Sequence, residues 1–235
     1  MIAIRRSQDR GYADHGWLRA RHSFSFADYY DPAEMGWGVL RVINEDRISG
    51  GMGFGTHGHR DMEIVTWILS GALEHKDSLG NGGVIRRGEV QRMSAGRGIM
   101  HSEFNPLPDE ETHLLQIWIE PDARGHSASY EQQALPVEEM RGRWRLVASP
   151  DGAEGSTTIH QDARLYASVL ESGQSLDYSL ASGRLAFVQV VCGRLEINGK
   201  ILEAGDGAKI ADETQLNFAA QEESEFLLFD LPPAH

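Results

Sequence analysis

Ile64-Val65-Thr66-Trp67-Ile68-Leu69-Ser70-Gly71-Ala72-Leu73-Glu74 is the stretch that decides the fold. An apolar run rich in β-branched and aromatic residues breaks at a glycine and resumes with Leu-Glu. That is the pattern of a buried strand, a tight turn and a second strand. The same pattern returns 122 residues later as Ala186-Phe187-Val188-Gln189-Val190-Val191-Cys192-Gly193-Arg194-Leu195-Glu196. Downstream, Arg87-Gly88-Glu89 matches Ala204-Gly205-Asp206 at an offset of 117. Two copies of one β-barrel unit account for both matches, with the join inside residues 130–150.

The rest of the chain reads the same way. Trp37–Ile43, Glu63–Leu69, His113–Ile119, Leu185–Val191 and Glu225–Phe229 are short strand-like runs between turn signals. Val42 to Ile48 is expected to bracket a hairpin over Asn44-Glu45-Asp46, and Leu195 to Leu202 a tight one around Asn198-Gly199. Helical periodicity is scarce. Only Gln132–Arg141 suggests a short helix, with Pro136 suited to its first turn. The expected architecture is all-β: an N-terminal barrel over residues 1–134, a linker over 135–144 and a C-terminal barrel over 145–235.

Composition narrows the function. The 235 residues carry 22 Lys+Arg against 35 Asp+Glu, a net charge of −13. Nucleic-acid affinity is built on basic patches, so direct nucleic-acid binding is not expected. One cysteine, Cys192, excludes an internal disulfide framework and a thiolate metal site, and it reads as a small buried hydrophobe. No apolar run reaches the ~20 residues of a membrane span, and no secretory leader follows Met1. A monomeric cytoplasmic protein is expected. Eight of the ten histidines fall in residues 1–149, leaving only His160 and His235 beyond. Chemistry is therefore expected in the first barrel.

Two stretches there carry it. In Gly55-Thr56-His57-Gly58-His59-Arg60-Asp61-Met62-Glu63, strand alternation puts His57 and His59 on one face. In Gly98-Ile99-Met100-His101-Ser102-Glu103, His101 and Glu103 repeat that spacing. Three imidazoles and a carboxylate form a mixed N/O donor set suited to a divalent Fe, Ni, Co, Cu or Mn ion. Glu63 could join them as a ligand or orient a histidine from behind, and the second reading is preferred. His75 reads as a strand-end surface residue and His113 as a core or rim histidine. His15, His22, His126 and His160 read as ordinary surface or turn residues.

These stretches resemble the two cupin motifs and, more closely, the pirin family. The resemblance rests on His57-Gly58-His59-Arg60-Asp61-Met62-Glu63, Glu74-His75-Lys76-Asp77-Ser78-Leu79-Gly80-Asn81 and Ala95-Gly96-Arg97-Gly98-Ile99-Met100-His101-Ser102-Glu103. His22-Ser23-Phe24-Ser25-Phe26-Ala27-Asp28-Tyr29-Tyr30-Asp31-Pro32 and Leu227-Leu228-Phe229-Asp230-Leu231-Pro232 extend it over nearly the whole chain. Many pirins carry Pro where this chain has Gly58, a change that leaves the alternation intact. The resemblance implies a bicupin fold with one metal per chain, usually Fe(2+), held by His57, His59, His101 and Glu103. Ni, Co, Cu, Mn or Zn are alternatives. It implies either quercetin 2,3-dioxygenase activity, opening a flavonol ring with O2 and releasing CO, or a metal-binding regulatory module resembling a transcription cofactor. In the enzyme reading Glu103 doubles as the base for the substrate hydroxyl. The second barrel should be metal-free, since His57 and His59 map onto Ser179 and Ala181 and no donor stands near Leu216–Phe218.

Overall fold

A computed structural model describes residues 1–233, so His235 lies outside the described residues. Short runs between glycine turns become strands throughout; the other regular elements are three single 3-10 turns. In chain order the first six strands are β1 (Ile2–Arg5), β2 (Gly11–Asp14), β3 (Leu18–His22), β4 (Leu40–Ile48), β5 (Gly53–His59) and β6 (Glu63–Ser70). Next come β7 (Ala72–Asp77), β8 (Gly82–Arg86), β9 (Glu89–Ser94), β10 (Ile99–Phe104), β11 (Thr112–Ile119) and β12 (Ser129–Ala134). The second half opens with β13 (Arg145–Ser149), β14 (Thr157–Thr158), β15 (Arg164–Leu170), β16 (Ser175–Ser179) and β17 (Leu185–Cys192). It closes with β18 (Arg194–Ile197), β19 (Lys200–Glu203), β20 (Gly207–Ile210), β21 (Gln215–Ala220) and β22 (Ser224–Leu231). Among the described residues no helix is long and apolar enough to cross a membrane.

The repeat seen in the sequence is a repeat of topology. The first barrel pairs a seven-stranded sheet, β12-β9-β6-β11-β4-β3-β2, with a four-stranded one, β5-β10-β7-β8. The second pairs β1-β20-β17-β22-β15-β13-β14 with β16-β21-β18-β19, so the order corresponds strand for strand. Gly71 and Gly193 mark the same corner in each copy, with φ of +79° and +84°. A Cβ on Gly71 would stand 2.7 Å from Thr112 Oγ1, and on Gly193 2.2 Å from the Glu223 carbonyl. Both conformation and space demand glycine there. The expected bicupin architecture is present.

The two large sheets pack back to back. Ile43, Val65, Trp67, Leu115 and Ile117 from one meet Leu165, Ala167, Phe187, Leu227 and Phe229 from the other. Burying each such side chain contributes about 1.5–3 kcal/mol. The barrel interiors then diverge. The second is filled by Val188, Leu195, Phe218, Phe226 and Leu228. The first has apolar plugs around Leu73 and Ile85 and around Ile64 and Met93, with histidines and carboxylates between them.

Several expectations are corrected. The N-terminal limit does not hold for residues 2–5, because β1 pairs with β20 of the second barrel, Ile2 opposite Ile210. Such distant pairing leaves no local signature. The helix expected over Gln132–Arg141 is instead the end of β12 and one 3-10 turn, Val137–Glu139, directly after Pro136. Asn44-Glu45-Asp46 is no turn. It lies inside β4, which pairs with β3 on one side and β11 on the other. The Asn198-Gly199 hairpin forms as expected, with φ of +46° and +80° and Ile197 opposite Lys200. Cys192 is exposed, because β17 runs out of the core one residue before Gly193.

Candidate metal centre

Strand β5 carries His57 and His59 into the first barrel, and neighbouring β10 brings His101 directly opposite His57. Between His101 and Glu103 the register slips, so Glu103 faces Phe54. The extra residue on β5 is a β-bulge, a device that re-aims side chains beside functional sites. The donor atoms of His57, His59 and His101 all lie within 4.8 Å of one another. Glu103 stands in a second group with His101 and His75, at the same span. All four expected ligand residues thus line one cavity of about 440 Å³, together with Trp17, Phe26, Asn44, Asp46, Phe54, Ile64, Gln116 and Trp118.

Hydrogen bonds assign the tautomers. His57 Nδ1–H donates to the Gly55 carbonyl at 2.8 Å, which leaves its Nε2 bare. On the other side, His75 Nε2–H donates to Asp77 Oδ2 at 3.2 Å, so His75 Nδ1 accepts from His101 Nδ1–H at 3.4 Å. His101 Nε2 is then bare as well, and it faces His57 Nε2 at 3.0 Å. Two lone pairs at that separation repel unless a cation lies between them. Imidazoles bound at about 2.1 Å to one ion at a right angle would sit about 3.0 Å apart, so the donor set fits a metal. Burial, then the neighbouring His57, pushes the His59 pKa down to about 4. Burial and the surrounding histidines push that of His101 to about 3. Both rings are neutral near pH 7, as ligation requires.

The carboxylates behave in the opposite sense. Burial raises the Glu103 pKa to about 7, although Gln116 Nε2 donates to both its oxygens at 2.9 and 3.0 Å. Burial, with the charges of Glu103 and Glu45, raises Asp46 to about 7 as well.

Four readings of single residues change, those of His75, Glu63, His160 and His22. His75 is fully buried rather than at the surface, because β7 turns Leu73, His75 and Asp77 inward by alternation. The Leu73-x-His75-x-Asp77 pattern was the available signal, and Lys76 masked it. His75 stacks on Tyr130 at 4.7 Å, and burial lowers its pKa despite Asp77. Asp77 is held in turn by the Leu79 and Asn81 backbone N–H groups at 2.9 and 3.0 Å. This buried carboxylate–histidine pair aligns His101 as such partners align metal ligands elsewhere. His75→Phe, which keeps a ring against Tyr130, is expected to weaken metal binding by about 10–100-fold in a chelator competition. Affinity within twofold of the parent would show that His101 needs no partner.

Glu63 is neither a ligand nor the partner of one. Asp61 takes a φ of +50° in the turn before β6, and Ile64 rather than Glu63 then faces the cavity. Glu63 points at the other barrel instead, accepting from Ser94 Oγ at 2.6 Å and from His160 at 3.1 Å. His160 is therefore more than a loop residue: it also stacks on His126 at 4.1 Å. His160→Ala should cost about 1–2 kcal/mol by leaving buried Glu63 short of a partner. The melting temperature would fall by roughly 2–8 °C, with metal content unchanged and turnover within about twofold. A tenfold loss of turnover at full metal content would tie the second barrel to the chemistry.

His113 is a rim histidine as expected, 2.8 Å from Glu45. His22 is not the surface or turn residue expected, because it ends β3 facing inward and is buried against Asn44 at 2.8 Å, while His15 is exposed as expected. In the second barrel Phe218, opposite Ile197 on β18, stands where Glu103 stands opposite His75 on β7, and Leu216 stands at the His101 position, inside the stretch expected from sequence.

Comparison with known proteins gives a consistent answer. The family model Pirin matches residues 4–119, and one described as the quercetinase C-terminal cupin domain matches residues 146–231. Quercetin 2,3-dioxygenase of Escherichia coli (strain K12) is 48% identical over 233 residues, covering 99% of this chain and 100% of that protein. A pirin-like protein of Caulobacter vibrioides is 44% identical over 222 residues, covering 94% and 95%. The crystal structure of the bacterial pirin YhhW from Escherichia coli in complex with nickel(II) superposes with a TM-score of 0.95. It is 48% identical, with 99% of this chain and 100% of that chain covered.

Proposed function

This chain belongs to the pirin family, and on that premise we propose that its first barrel is the active site of a metal-dependent dioxygenase. The substrate is quercetin or a related flavonol, its ring opened with O2 and CO released. One observation carries the reading: three imidazoles and a carboxylate share an open-mouthed cavity of about 440 Å³ with Phe26, Phe54, Ile64 and Trp118. That volume lies in the range of small-molecule sites, and the flat apolar walls suit a planar aromatic ligand. A regulatory module that docks a protein on its outer surface would have no use for such a chamber.

His57, His59, His101 and Glu103 would hold one divalent ion per chain. Family resemblance points to Fe(2+), while nickel is the ion bound in the YhhW structure. When bound, the metal supplies Lewis acidity toward an enolic hydroxyl and a redox-capable centre for O2 chemistry. The protein's own contribution is positional. Gln116 holds Glu103, the His75–Asp77 pair holds His101, and the aromatic walls exclude water and fix the ring plane. The reading takes the protein as a cytoplasmic monomer with no direct nucleic-acid contact. Aerobic turnover tests it: metal-loaded protein should bleach quercetin while consuming one O2 and releasing one CO per flavonol. Stable flavonol absorbance under those conditions would leave only the binding-module reading.

A further inference from the structure

The cavity holds one ionisable side chain that the donor set does not use and that no other residue pairs. Asp46 lies at the middle of a paired strand, is only 4% exposed and opens on the cavity. Among the described residues nothing hydrogen-bonds its carboxylate, and only burial and the charges of Glu103 and Glu45 act on it. The contrast with its neighbours is sharp. Glu45, on the opposite face of β4, pairs with Arg10 at 2.5 Å and His113 at 2.8 Å. Asn44, on the same inner face, is committed to His22. Glu103 has both oxygens engaged by Gln116.

The floor beside Asp46 is also short of donors. Gln116 lies across the ladder from Asn44, and its Oε1 is buried without a partner. A buried unpaired carboxylate is costly to keep, and such groups call for a ligand or a catalytic role. Here the vacant hydrogen-bonding capacity is all for a donor, in a cavity that also presents Phe26, Phe54, Ile64 and Trp118.

We infer that Asp46 is the catalytic residue that takes the proton of the substrate's enolic hydroxyl. This rests on the flavonol reading above and deepens it. The substrate O–H bond breaks, the electron pair stays on the substrate oxygen, and the proton forms the Asp46 carboxylic acid. After ring opening with O2, Asp46 returns that proton to the product carboxylate, so the residue ends as it began. Glu103 is thereby left as a metal donor and relieved of the second role expected from sequence.

The test reads ionisation without turnover. Metal-loaded parent protein is mixed anaerobically with quercetin, and the red-shifted absorbance of the flavonolate is followed by stopped flow. Asp46→Asn should slow its appearance by at least about 10²-fold, with metal content intact and flavonol affinity within about threefold. Asp46→Ala should recover part of the rate as formate is added, which a structural lesion would not do. Ionisation at the parental rate in Asp46→Asn, or no response of Asp46→Ala to formate, overturns the inference. So does a parent protein that binds flavonol without ionising it. A parent that ionises quercetin anaerobically but consumes none in air leaves this inference standing and removes the dioxygenase reading alone.

Discussion

Replacing His57 and His59 together by alanine is expected to take the chain from about one tightly bound divalent ion to essentially none. Turnover should fall with the metal, by at least about 10³-fold. Two of the three convergent imidazoles would be lost, and His101 with Glu103 cannot by themselves supply the usual three or four protein ligands. The second barrel offers no refuge. Buried Leu216 and Phe218 stand where the first barrel has His101 and Glu103. Leu195 and Phe226 fill the interior with them, and Phe218 stacks on Phe226 at 5.3 Å. Elemental analysis of the purified double variant decides the matter. Two equivalents in the parent would place a metal outside the first barrel, and a full equivalent retained by the variant would place it there or on His75, His101 and Glu103.

Much of this architecture is legible in the amino-acid sequence. Glycine turns such as Gly71 and Gly193 are enforced by backbone conformation and close approach, so they recur at fixed places in both copies. Side-chain alternation is equally local, and it put His57 with His59 and His101 with Glu103. What escaped was decided by distant parts of the chain. Residues Asn44-Glu45-Asp46 resemble a turn because they are polar, yet β4 carries them through the sheet and turns two of the three into the cavity. Polar side chains in a barrel interior break the usual apolar-in rule, and such breaks are expected where function needs them. Glu63 was lost to a change of parity at Asp61, and β1 to a partner more than two hundred residues away. His75 was different: its alternation with Leu73 and Asp77 was visible, but the charged residues around it suggested a surface.

Glu103→Gln separates the metal donor from the proton acceptor. Glutamine keeps the size of the side chain and one oxygen that can still accept from Gln116, so the fold and the three imidazoles should survive. What it removes is a negative charge fully buried beside the ion. The variant should retain much of its metal when loaded at high concentration, yet lose turnover by at least about 10²-fold, the scale of a lost charged group in the reacting site. A second measurement isolates the carboxylate. Burial holds the Glu103 pKa up to about 7 without an ion, so below that pH the group is protonated and must release its proton to take the metal. Affinity in the parent should therefore rise with pH up to about 7 and flatten above it. Calorimetry in buffers of different ionisation enthalpy should find more protons released per ion at pH 6 than at pH 8. In Glu103→Gln that share of the release vanishes, whereas in Asp46→Asn it persists. Near-parental turnover of the fully loaded Gln variant would show that the carboxylate is neither needed at the metal nor used as a base, leaving the three histidines to hold the ion alone.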